Sequence, residues 1–178
     1  MLPIRKQNDG GGEVKKALQN LMAKRAYTEQ HIEEIRASYS LSAWSPSPVP
    51  KAKSNSFRRL ETGTAKIVEA QQELETIDRC IRGYIRVLSD HASEVRDATE
   101  KIKIMELRYL RHKEWRDVVF SLFGNNPDYG RCYNKYRRTV FRRHDGACED
   151  IFRLWESVGN PRQPVERIPH DVRVAVYD

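Results

Sequence analysis

The chain has 178 residues, 39% hydrophobic and 32% charged, and carries a net charge of +7. That length suits one globular unit or a long helical part joined to a small domain, and the spaced aliphatic positions build helical seams, not a thick core. No apolar run nears the roughly 18 residues of a membrane span, and the start MLPIRKQNDGGG lacks the apolar stretch of a signal peptide, so the expectation is a cytoplasmic protein with no membrane partner and an anionic one instead.

Residues 1–12 are polar and end in Gly10, Gly11 and Gly12, which predicts a flexible leader. A first helix is expected from Glu13, because Val14, Leu18, Leu21, Arg25, Thr28, Ile32, Ile35 and Tyr39 alternate four- and three-residue steps. Arg25 and Thr28 interrupt that seam, either to set register or oligomer state or because the seam is shallow. Residues 40–56, SLSAWSPSPVPKAKSNS, hold three prolines and six serines and read as a loop. Trp44 within it either docks onto a helix pair or serves a partner.

A second helix is expected over 56–90, where Ile67, Ala70, Leu74, Ile77, Ile81, Tyr84 and Leu88 form an uninterrupted seam. Gly83 lies inside it at a cost of roughly 1 kcal/mol relative to Ala, which close helix packing would explain. Residues 13–93 therefore read as an antiparallel hairpin, with a seam also open to a second copy, and so as the oligomerisation part of a homodimer. After a bend at 89–92, Val95, Ala98, Ile102, Met105 and Tyr109 carry a third helix into a second domain over 94–155.

Within 94–155, Trp115, Val118, Val119 and Leu122 predict a short helix, and Gly124 would stop it in a left-handed conformation. Asn125, Asn126 and Pro127 mark a turn, and Asp128 is placed to cap a longer helix. On that helix Arg131, Lys135, Arg138 and Arg142 fall on one face, while Tyr129, Tyr133, Tyr136, Val140, Ala147 and Ile151 lie opposite. From Lys101 to His144 there are twelve Lys and Arg against four acids, a local charge of +8 that exceeds the whole chain's. A solvated face normally mixes signs; this one is expected to meet double-stranded DNA in a helix-turn-helix arrangement. Lys135, Arg138 and Arg142 would contact phosphates, Arg131, Asn134 and Arg137 would approach base edges, and Lys113 and Arg116 add to the set. Residues 156–178 form a tail, in which Val172, Val174 and Val176 suit either a short edge strand or a disordered end.

Catalytic signatures are missing: there is no G-x-S-x-G, P-loop, H-E-x-x-H or C-x-x-C, and His31, His91, His112, His144 and His170 are scattered. Cys80, Cys132 and Cys148 have no paired spacing and read as reduced structural residues. Neither enzyme activity nor a cofactor or metal is expected.

At MELRYL, HKEWRDVVFSLFG and YRRTVFRRHDGACEDI the chain resembles the phage-encoded transcription regulators of the RinA/ArpU type, whose C-terminal unit is similar to region 4 of bacterial sigma factors. Met105 to Leu110 match the first piece of the pattern, Trp115 and Gly124 the second, and Arg137, Arg138, His144 and Ala147 the last. The helical seams read as an all-α protein, and the resemblance implies one that binds specific DNA upstream of phage late genes in a bacterial cell, usually as an activator. Two departures stand out. Twelve residues separate Gly124 from Arg137, so the last helix begins early or the loop holds an extra turn. Asp145 follows His144 where the family more often has Gly, so His144 is expected to be a helix-surface or packing residue. Two other readings stay open: a small terminase-like DNA-packaging subunit, and a helical protein that captures host RNA polymerase or another partner without touching DNA.

Overall fold

A computed structural model describes residues 10–43 and 53–157, with side chains placed for 10–39 and 61–157. Every element among the described residues is helical: α1 (Gly10–Ala43), α2 (Lys53–Asp90), α3 (Ala98–Met105), a wide π turn (Glu106–Leu110), α4 (Trp115–Phe123) and α5 (Tyr129–Ser157). The all-α class is as the seams predicted. Both long helices run into the expected 40–56 loop, stopping at Ala43 and starting at Lys53, because only the stretch between them carries the prolines. Trp44 and the tail valines Val172, Val174 and Val176 lie outside the described residues.

The chain divides into two compact units: Asn20–Arg79, and the remainder up to Gln19 and from Cys80 onward. A boundary between 93 and 94 was the expectation, but the outer ends of both long helices belong with α3–α5. The reason is packing. Tyr84 is buried with its ring 4.5 Å from that of Trp155, and Val14, Leu18, Ile81 and Leu88 are buried too. The glycines at the start are helical, not a leader. A Cβ on Gly10 would lie 2.2 Å from the Phe152 ring and one on Gly11 2.7 Å from the Glu149 side chain, so α1 approaches α5 there at a distance only glycine permits.

In the unit Asn20–Arg79, Leu21, Ile32, Ile35, Ala70 and Ile77 bury the seam. The two polar seam residues have partners on α2. The Arg25 guanidinium lies 2.5 Å from Asp78, and Thr28, 2% exposed, faces the Glu73 carboxylate at 3.2 Å while Lys24 pairs with the same carboxylate at 2.8 Å. These contacts fix the register of α1 on α2, since a slip along either helix would strand a half-buried charge.

In the other unit, α3 and α4 pack on α5. Ile104, Leu107, Val118, Val119 and Val140 form its core, with Trp115, Leu122, Phe123, Tyr129, Tyr133 and Tyr136 packed around them. Further along α5, Ala147, Cys148, Ile151 and Leu154 are buried. Helix α3 begins at Ala98, later than Val95, because Asp97 adopts a left-handed φ of 56° and its carbonyl accepts the Glu100 and Lys101 amides, which starts the helix there. Lys101 and Asp150, 2.6 Å apart and only 12% and 17% exposed, join α3 to α5, and Lys15 on α1 meets Asp145 on α5 at 2.8 Å.

Gly83 departs from expectation. It is exposed, and a Cβ added there would meet nothing within 4 Å, so close packing does not account for it. Gly83→Ala is therefore expected to raise stability by about 0.5–1 kcal/mol, through the lower backbone entropy of the unfolded chain. Urea unfolding with an unchanged m-value would measure it; a loss of stability would contradict the open surroundings.

Candidate nucleic-acid interface

Helix α4 ends where the Gly124 amide donates to the Phe120 carbonyl at 2.7 Å. Gly124 is right-handed, with φ −60° and ψ −25°, so the expected left-handed stop is not how it works. A Cβ there would sit 2.6 Å from the Phe120 carbonyl oxygen, and the glycine is required for space. The turn 124–128 then closes through the Asn126 amide on the Phe123 carbonyl and the Tyr129 amide on the Asn126 carbonyl, both 3.0 Å.

Helix α5 begins early, at Tyr129, so the long Gly124–Arg137 interval is mostly helix. The Asp128 carbonyl accepts the Cys132 amide at 2.9 Å, opening the first turn. Its carboxylate accepts the Tyr136 hydroxyl at 2.6 Å; that bond first, and one from the Cys132 thiol second, hold the carboxyl below its ordinary pKa. The aromatic face is continuous: Phe123 stacks on Tyr136 at 4.6 Å, and Tyr129 meets Tyr133 edge-on at 5.9 Å. Phe120, 61% exposed, ends this row against Tyr129.

On the other side of α5, Arg131, Asn134, Lys135, Arg137, Arg138 and Arg142 are all exposed. Among the described residues no carboxylate lies within ion-pair distance of Arg131, Lys135, Arg138 or Arg142. Neighbouring cations differ: Arg143 pairs with Glu100, and Arg153 with Asp150. From Tyr129 to His144 helix α5 carries six cations and no acid. Arg131 lies in the first turn, where the partial positive charge of the helix N-terminus disfavours a cation, and the cations beyond it repel one another without i,i+4 acids between them. Of the two outlying candidates, Arg116 is exposed on α4, whereas Lys113 is half-buried and donates to the Ser121 hydroxyl at 3.0 Å.

The π turn sets the back of this surface. The Arg111 amide donates to the Glu106 carbonyl at 2.9 Å, one residue wider than an α turn, and Leu107 and Tyr109 both face inward. The Tyr109 hydroxyl meets His144 Nε2 at 2.8 Å, and burial pushes that hydroxyl's pKa up. His144 is fully buried, edge-on to Trp115 at 4.9 Å, and Nδ1 faces Asp145 at 3.4 Å. It is a packing residue, and desolvation lowers its pKa against the opposing pull of Asp145.

Sequence reasoning missed an aromatic ladder. The Arg137 guanidinium lies over the Phe141 ring at 5.4 Å, Phe141 meets Trp115 at 4.8 Å, and the Arg108 guanidinium lies over Trp115 at 5.2 Å. The four-residue step from Arg137 to Phe141 was a visible signal; the Trp115 contact was not, being long-range.

No protein-family model, curated protein or solved structure matches the chain. No group of three or more His, Cys, Asp or Glu able to hold a metal ion occurs among the described residues, and none of their helices is long and apolar enough to cross a membrane.

Proposed function

We propose that this protein is a sequence-specific double-stranded DNA-binding transcription regulator that acts as a homodimer, with α4 and α5 as its helix-turn-helix and α5 in the major groove. One observation carries the reading: Arg131, Lys135, Arg138 and Arg142 are gathered exposed on one face of α5, and no carboxylate among the described residues lies within ion-pair distance of them. A surface kept at an electrostatic disadvantage is explained by a polyanion that neutralises it. The turn of five residues between α4 and α5, with the aromatic face holding them together, supports the groove-docking arrangement. The resemblance to phage late-gene regulators, which usually activate, supports activation of transcription in a bacterial host as the role.

The test is footprinting of the purified protein across DNA fragments of its own genome, with binding repeated between about 50 and 200 mM salt. The expected result is a protected site spanning two half-sites about one helical turn apart, and affinity that falls steeply with salt. Absence of any DNA complex at low salt would overturn the reading.

A further inference from the structure

The exposed arc of α5 has a centre and two edges. At about 100° per residue, Arg131, Asn134 and Arg138 fall near its middle, with Lys135 toward one edge and Arg137 at the other, roughly 100° from Arg138. Arg137 is also the member of this set whose guanidinium rests on a ring, and that ring packs on Trp115, the first residue of α4. Phe141, about 40° from Arg137 around the helix, thus ties that guanidinium to the contact with α4, while the azimuth of Arg137 itself sets it at the edge of the arc. A helix lying in the major groove turns the middle of its exposed arc to the base edges and its edges to the two phosphate backbones.

Resting on the DNA-binding reading above, we infer that Arg137, positioned by Phe141, grips the phosphate backbone on the α4 side, while Asn134 and Arg138 face the base pairs. This reverses the division expected from the sequence, in which Arg137 approached bases and Arg138 phosphates. Arg116, exposed beside Trp115 on α4, belongs to the same backbone contact. The guanidinium suits either task chemically, and what separates the two arginines is azimuth and the ring beneath one of them.

The experiment is selection of the full chain against a pool of random-sequence duplexes, followed by titration of one enriched duplex at several salt concentrations. Arg137→Gln is expected to weaken binding to all duplexes by a similar factor, lower the slope of log affinity against log salt by about one, and leave the enriched motif unchanged. Arg138→Gln is expected to relax the preference at one base pair by about tenfold or more. Phe141→Leu, which keeps the charge and removes the ring, should reproduce part of the Arg137→Gln affinity loss with the same motif. A changed motif for Arg137→Gln, or an unchanged one for Arg138→Gln, overturns the inference while DNA binding stands. Duplex binding with no enriched motif also overturns it. Failure of the unsubstituted protein to bind any duplex removes the DNA-binding reading itself, and the inference with it.

Discussion

Arg138→Glu is expected to lower affinity for duplex DNA by about a hundredfold or more while leaving the helical circular-dichroism signal intact. The substitution removes one charge-assisted contact and introduces a repulsion at the middle of the exposed arc, and each shifts binding by on the order of 1.4 kcal/mol or more, a factor of about ten. Folding should be spared because Arg138 is exposed and none of the ion pairs among the described residues involves it. A glutamate at 138 would also stand four residues from Arg142 and Asn134, where a Glu–Arg i,i+4 pair suits the helix. Electrophoretic mobility shifts at 50 mM salt, an ionic strength of about 0.05 M where electrostatic contacts are strongest, measure the loss. Undiminished binding would remove this face from the site.

The second large effect is on stability. His144→Ala should destabilise the unit containing α3–α5 by about 3 kcal/mol or more, since it opens a cavity beneath Trp115 and leaves the buried Tyr109 hydroxyl without its partner. The same residue predicts a pH dependence with a definite sign. Burial lowers the folded pKa of His144 below its ordinary value, so on acidification the unfolded chain takes up the proton first. Its contribution is complete above about pH 6.5, the unperturbed value, and is lost progressively as pH falls from there through the lowered folded pKa. Asp145 counters this by favouring the charged ring, but desolvation is the larger cause. Below the ordinary carboxylate range a further loss follows, because Asp145 is itself held low, with Lys15 bonded to it, and must be protonated. Unfolding temperatures between about pH 7 and 5, a window set by the ordinary histidine pKa, would show a decline in the unsubstituted chain that is shallower in His144→Gln. Equal slopes in the two proteins would sink this account of His144.

Taken together, the two residues separate functions along a single helix. Arg131, Lys135, Arg138 and Arg142 occupy turns where no carboxylate among the described residues pairs with them, whereas His144, about 1.7 turns beyond Arg138, is closed in by Tyr109, Trp115 and Cys148. The thiol of Cys148 is pushed up to about 12, chiefly by burial, so at neutral pH it stays a thiol within the core. The sequence presents Arg142 and His144 as near neighbours; burial makes one surface and the other core.

What the sequence alone determined is what repeats locally. Steps of three and four residues mark the apolar seams of α1 and α2, prolines delimit the break between them, and the same angular argument gathers Arg131, Lys135, Arg138 and Arg142 on one flank of α5 opposite its tyrosines. Tertiary structure decided where those flanks meet something else. Three glycines that look alike in the sequence part ways: Gly10 allows α1 to approach Phe152, Gly124 clears a carbonyl, and Gly83 has open space above it. Arg25 and Thr28 look like flaws in a seam until Asp78 and Glu73 are opposite them, and Arg137 looks like its neighbours until Phe141 lies beneath it. The physical reason is range. Helix periodicity is written in residues three or four apart, but the Lys15–Asp145 contact joins residues 130 apart, and no local pattern encodes which side chain will arrive from that distance.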